Sequence, residues 1–428
     1  MRKLGFFHLF LFFSLTLTSP SFASEKTLEQ LPGQIAFVGS DRNIYTLNLF
    51  DDELTSLTDD AREDRRYQWP TWAIDGRLAY FCCETVTLDG VVLEVYVSQE
   101  GIQLGDLAYE AANEVFYHAY WSPVACSESD DCRDLAILLN NLTEENLNIQ
   151  IVRNQGSESS DFAIGGGQPF YYSWSPDGTK MLWQQDNRSL SIYEFETNTE
   201  QDLAQLPGFI QAPAWSPVDE RLLFGAFNPD NQTTDLVIVS GDEMLTLEEG
   251  IEGLVSYNWS PDGRYVGYRI LSDQRIGSLY VVDSVTGELI ANSDIESVYA
   301  FFWSPDSQHV AYVALATGSG QADANTMAIP VSEARQDAPD IGWSVLNVAD
   351  SINRLYGTFA PTSEMVYLFN FFDQFAQSHQ IWSPDSTHIV YGEISPEGKP
   401  IISILDMMQS DTVPSSVADG YIGIWSYE

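Results

Sequence analysis

The sequence predicts an all-β fold: a closed β-propeller of four-stranded blades, eight by the main count and seven as the alternative. Three observations predict it. The string Trp-Ser-Pro begins at Trp121, Trp174, Trp215, Trp259, Trp303 and Trp382, with a degenerate copy at Trp72 and a truncated one at Trp425. Successive spacings are 49, 53, 41, 44, 44, 79 and 43 residues, most of them near the ~40–45 residues of one propeller blade. Short runs rich in β-branched and aromatic residues, bounded by Gly, Pro, Asp or Asn, follow each onset, as in Arg264-Tyr-Val-Gly-Tyr268 and Ser278-Leu-Tyr-Val-Val-Asp283.

The onset has turn chemistry. Ser-Pro-Asp-Gly suits a type I turn, with Pro presetting φ at the second position and Gly at the fourth. Ser307 and Ser386 replace that Gly and are expected to carry strain. The preceding Trp ends a strand and fills the gap between sheets. Trp72, Trp121, Trp174, Trp215, Trp259, Trp303, Trp382 and Trp425, with Asp177, Asp262, Asp306 and Asp385, are therefore assigned to structure rather than to catalysis. His309 and His388, just after two of the turns, are assigned likewise.

The first strands, Gln34–Val38 and Asn43–Asn48, lack a turn before them. Tyr421–Ser426 supplies that missing piece, so N- and C-terminal strands are expected to share one blade and remove a sheet edge. The 79 residues from Trp303 to Trp382 exceed one blade. Residues 314–380 are read as an elaborated blade with a long insertion. Phe359–Ser363 followed by Met365–Phe369 reads as a worn repeat with an extra strand or hairpin.

Ahead of the repeats, Met1–Ala23 has the form of a signal peptide: Arg2 and Lys3, the apolar run Leu4–Leu17, and Ser21-Phe-Ala23 before the cut. The propeller is assigned to residues 32–428, exported to the periplasm or beyond the cell. Export permits disulfides. Cys126 and Cys132 bracket a polar insert and are expected to pair, while Cys82 and Cys83 are either free or a vicinal bridge. Metal-ligand spacing for zinc is missing.

With 62 Asp+Glu against 19 Lys+Arg, the net charge is −43. Such a surface repels phosphate backbones and anionic lipid, excluding nucleic acid as a partner. No cofactor is expected, although weak calcium binding between acidic loops stays open. The scarcity of Lys suggests adaptation to salt.

The Trp-Ser-Pro-Asp-Gly turn followed by Val-Ala-Tyr-type and Leu-Tyr-Val-Val-Asp-type strands resembles the propeller repeats of TolB-like proteins, also described as WD-repeat-like. The resemblance covers roughly Pro32 to Glu428. It implies an interaction platform without catalytic residues. TolB proper has a separate α/β domain ahead of its propeller, for which there is no room here, so the Tol–Pal role is not carried over. Exported peptidases and oligogalacturonate lyases use similar repeats; the peptidases need a Gly-x-Ser-x-Gly hydrolase domain, and that string does not occur.

Residues three before each Trp should lie near the axial mouth: Trp69, His118, Tyr171, Ala212, Ser256, Ala300, His379 and Ile422. Trp69, His118, Tyr171 and His379 form a candidate aromatic and histidine-lined mouth for a ligand or peptide. The irregular stretch Phe371–His379, including Phe372 and Asp373, is a candidate partner surface. The expected function is a non-catalytic exported scaffold that binds another protein, an envelope component or a small ligand. The alternative is a propeller hydrolase or lyase acting on carbohydrate or peptide.

Overall fold

The computed structural model describes residues 31–87, 90–126, 132–144, 146–154, 160–208, 212–272, 275–315 and 341–428. The expected signal peptide and most of the long insertion, residues 316–340, lie outside the described residues.

The Trp-Ser-Pro turn folds as its composition dictates. Gly178 N–H donates to Ser175 O at 2.9 Å, closing the turn. Asp177 Oδ1 accepts from Ser175 Oγ at 2.6 Å and from Thr179 N at 3.1 Å, and Ser175 Oγ accepts from Lys180 N at 2.9 Å. The same arrangement recurs with Ser260 and Asp262, Ser304 and Asp306, and Ser383 and Asp385. Gly178 and Gly263 have φ of 67° and 68°; Ser307 and Ser386, in their place, have 60° and 61°. The left-handed serines gain partners that glycine could not supply. Ser307 Oγ accepts from Asp262 N at 3.1 Å and Ser386 Oγ from Asp306 N at 3.0 Å, tying neighbouring turns together.

Each turn joins an inner strand to the next, and among the described residues the strands assemble into seven antiparallel sheets. Six have four strands in chain order. Their inner strands are Tyr67–Trp72, Glu114–Trp121, Phe170–Trp174, Ala214–Trp215, Leu254–Trp259 and Val298–Trp303. The seventh sheet has six strands: His388–Ile394, Pro400–Asp406, Ser415–Trp425, Gln34–Gly39, Ile44–Asn48 and Glu53–Ser56. The long strand Ser415–Trp425 pairs with Pro400–Asp406 through its first half and with Gln34–Gly39 through its second, Ile35 lying opposite Trp425.

Seven sheets, not eight, therefore carry the eight tryptophan onsets. The cause lies before Trp382. Where the other repeats have an inner strand, residues 363–375 form two helices, α1 (Ser363–Asn370) and α2 (Phe372–Phe375). A helix satisfies its own backbone and offers no ladder. Trp382 is left with a single bridge to Ile389, and its outer strands join the sheet that holds Trp425. The segment Met365–Phe369, expected as a strand, is thus helical. Thr362 caps it by accepting from Met365 N at 3.3 Å, and Glu364 stands in the first turn, where the helix dipole favours a carboxylate. The other half of the elaborated region is regular: Ile341–Asn347 and Asn353–Phe359 are the outer strands of the sheet begun by Val298–Trp303.

Tryptophans bind sheet to sheet. The indole N–H of Trp121 donates to Thr71 O, of Trp174 to Tyr120 O, of Trp259 to Ala214 O, of Trp303 to Asn258 O and of Trp382 to Phe302 O, over 2.9–3.4 Å. Each acceptor immediately precedes the tryptophan of the adjoining repeat. Trp72 closes the same contact onto Ile424 O at 3.2 Å. Each such bond contributes about 1 kcal/mol beyond the ring's burial. Trp215 departs from the pattern, its indole nitrogen having no partner among the described residues.

Both cysteine pairs are bonded, Cys126 to Cys132 and Cys82 to Cys83. Among the described residues no helix is long and apolar enough to cross a membrane.

Candidate functional site

The helices fill the axis. Met365, Val366, Leu368 and Phe369 on α1 and Phe372 and Phe375 on α2 are all buried against the surrounding sheets. Phe372 packs on Phe301 at 4.8 Å between ring centroids, Phe375 on Trp69 at 4.9 Å and on His118 at 5.0 Å. These partners come from three different inner strands. Gln377 Oε1 accepts from Ser173 Oγ at 2.8 Å on a fourth, and Asp373 Oδ2 accepts from Ala212 N at 3.5 Å just ahead of a fifth.

The residues three before the tryptophans therefore do come together, though not around an opening. Trp69, His118, His379 and Phe372 are buried in the plug, while Tyr171 and Asp373 are half-buried beside it. His118, Ser378 and His379 are each 1% exposed. Ser378 Oγ lies 2.8 Å from His118 Nε2 and 2.7 Å from His379 Nδ1. His379 Nε2 reaches Thr71 Oγ1 at 3.2 Å, and His118 Nδ1 has no partner among the described residues. Burial lowers both imidazoles, His379 to about 3 and His118 well below its ordinary value, and the proximity of His379 adds to the effect on His118. Both rings are neutral at physiological pH.

On the far side of the plug, Asp373 faces Arg269. Desolvation raises the Asp373 carboxyl, partly offset by the Ala212 N–H and the Arg269 charge. Burial lowers Arg269 to about 10, so it stays protonated. Its guanidinium stands 5.1 Å from the Phe372 ring centre, and its Nε lacks a partner among the described residues. Sequence reasoning passes over Arg269, although a lone cation inside the apolar strand Tyr265–Ser272 is a visible signal.

An open cavity of about 490 Å³ lies above the plug, on the face of the Trp-Ser-Pro turns. Its wall is the repeated motif itself, from Trp72 through Trp382, with Pro123, Pro176, Pro217, Pro261 and Pro305 between the indoles. Ala376, Gln377, His379 and Gln380 form the floor, and Tyr427 and Glu428 close one side. Ile74, which stands where other repeats have proline, is 52% exposed at its lip. Tyr120, whose hydroxyl burial pushes up to about 12, supplies a neutral polar group. The repeat pattern assigns the tryptophans to packing; that their edges also wall one cavity follows from their common register, which places every copy at the same height.

Two groupings of cysteine and carboxylate, Cys82–Cys83–Glu94 and Cys126–Cys132–Asp134, have metal-ligand proximity. In both the sulfurs are consumed in disulfides, which removes the thiolates a metal would need.

No protein-family model matches the chain, and no curated protein matches it. Its likeness is to solved structures. One, of a eukaryotic initiation factor, has a TM-score of 0.53 at 10% identity and covers 92% of this chain and 98% of that one. The dihydro-heme d1 dehydrogenase NirN has a TM-score of 0.53 at 10% identity, covering 92% and 75%. TolB from Acinetobacter baumannii is also similar, with a TM-score of 0.40 at 14% identity, covering 79% and 80%. The fold is a β-propeller of four-stranded blades. At these identities the similarity extends to architecture and no further.

Proposed function

We propose that this chain is an exported, non-catalytic β-propeller that binds a partner on the face of its Trp-Ser-Pro turns, in the manner expected of a TolB-like scaffold in the envelope or outside the cell. The observation that carries this reading is the 490 Å³ cavity on that face, walled by the repeat and floored by the plug. Ligand pockets of ~300–1,000 Å³ are apolar with a few polar groups, as this one is. The six-stranded sheet is read as the closure of the ring, since it brings Gln34–Gly39 beside Ser415–Trp425. The Cys126–Cys132 bond supports an oxidising destination.

The alternative, a hydrolase or lyase, needs polar groups converging where a substrate can reach them. His118, Ser378 and His379 converge, yet each is 1% exposed, and of the three only His379 borders the cavity. The test is capture from an envelope extract with the wild-type chain and with Ile74→Asp. Loss of the captured species in the variant supports the reading. Capture unaffected by Ile74→Asp, or turnover of a glycan or peptide substrate abolished by Ser378→Ala, overturns it.

A further inference from the structure

The turn face combines exposed apolar groups with under-compensated negative charge. Turns that follow the third strand of a sheet lie on this same face, because they bond to the Trp-Ser-Pro turns: Phe195 N to Thr179 O, Ser284 N to Arg264 O, Val348 N to Gln308 O. Ile102, Val285 and Ile352 in such turns are exposed, as are Ile74 and Val218 beside the cavity. Exposed apolar groups gathered on one face mark an interaction surface.

The charges sit one residue beyond the prolines. Asp177, Asp306 and Asp385 each commit Oδ1 to their own turn, and their second oxygens make no hydrogen bond among the described residues. Local cations neutralise them incompletely. Lys180 acts on Asp177 but lies 3.9 Å from Glu220, so its charge is shared, and Arg264 is held 3.8 Å from Asp262. His309, 3.9 Å from Asp306, is kept neutral by burial, and His388 acts on Asp385.

We propose that this face docks a basic segment of a partner protein. An apolar side chain of the segment seats among the tryptophan edges and prolines, and flanking Lys or Arg side chains lie over Asp177, Asp306 and Asp385. The inference rests on the reading of this face as a binding surface and adds the chemistry of the occupant. Charge complementarity selects it. A second copy of the chain, also at −43, meets like charge on approach, as does an anionic bilayer.

The experiment uses three synthetic peptides with one Leu-Trp anchor flanked by Lys, Ser or Glu, titrated against the full chain by calorimetry. The Lys peptide is expected to bind about tenfold or more tighter than the Ser peptide, with that margin shrinking as NaCl is raised. The triple variant Asp177→Asn, Asp306→Asn, Asp385→Asn keeps each Oδ1 acceptor and is expected to erase the margin. Ile74→Asp should weaken the Ser peptide. Equal affinity for Lys and Ser peptides, with weakening by Ile74→Asp, overturns the basic occupant and leaves the binding face standing. Binding of none of the three, or a concentration-dependent dimer blocked by Ile74→Asp, overturns the proposal; in the first case the face reading falls with it.

Discussion

Acid should loosen the plug through His379 and His118. The His379 imidazole titrates near 3 in the folded chain against an ordinary 6.5. Its folded value is depressed, so the stabilisation is complete above pH 6.5 and drains away as pH falls toward 3. Each tenfold difference in proton affinity between unfolded and folded chain weighs about 1.4 kcal/mol, hence about 3 kcal/mol is lost from His379 alone between pH 7.5 and 4.5. His118 acts in the same direction. The groups facing the two rings are Trp69 and Thr71 from one inner strand, Tyr172 from another, Phe375 from α2, and Ser378. None is charged, so a proton arriving there finds no counter-ion among the described residues. The assay is urea unfolding at pH 7.5 and 4.5, on wild type and on His379→Asn, which retains an acceptor near Ser378 without titrating. The difference between the two pH values should shrink by about 3 kcal/mol in the variant. An unchanged pH dependence, or an NMR titration of His379 with its midpoint above pH 5, refutes the reasoning.

Phe375→Ala empties the centre of the plug and should cost about 3–5 kcal/mol in urea unfolding, because its ring touches Trp69, His118 and His379. Gly392→Ala places a Cβ against the Tyr421 carbonyl oxygen; a loss of about 3 kcal/mol is expected in the same assay. Removing the Cys126–Cys132 bond with paired serines should cost about 2 kcal/mol, the closure entropy of so short a loop, seen as a lower melting temperature without reductant. Self-repulsion at −43 predicts a melting temperature that rises between low salt and ~1 M NaCl; a flat response would remove the case for salt adaptation.

What can be read from the sequence is what local chemistry repeats. Ser175, Asp177 and Gly178 make one turn by their own hydrogen bonds, so each copy of the motif announces a strand junction wherever it stands. The sheet count is not legible, because Met365-Val-Tyr-Leu-Phe369 is an unbroken apolar run that suits a buried strand or a buried helix equally. Pro361-Thr362 followed by Glu364 is the available helix signal. The candidate site is half legible for a related reason. Counting back from the tryptophans gathers Trp69, His118 and His379, whose rings lie together. It cannot say what else lies there, and the occluding element is the very stretch, with Phe372 and Asp373, that its irregularity marks as a candidate partner surface. The cavity is implicit in the spacing of the onsets, since residues at one register on every inner strand must meet around one axis.

The strand Ser415–Trp425 has a kinetic consequence. It gives Gln34–Gly39 its neighbour, and Trp425 donates to Pro32 O across 393 positions of chain. Contacts of such separation form late, because most of the chain's configurational freedom must be given up before they return anything. Until then Gln34–Gly39 presents a bare edge of buried-type residues, Ile35, Ala36, Phe37 and Val38, to any other unfinished chain. Refolding yield should therefore fall with protein concentration, and a peptide of residues 415–425 supplied in trans should compete for that edge.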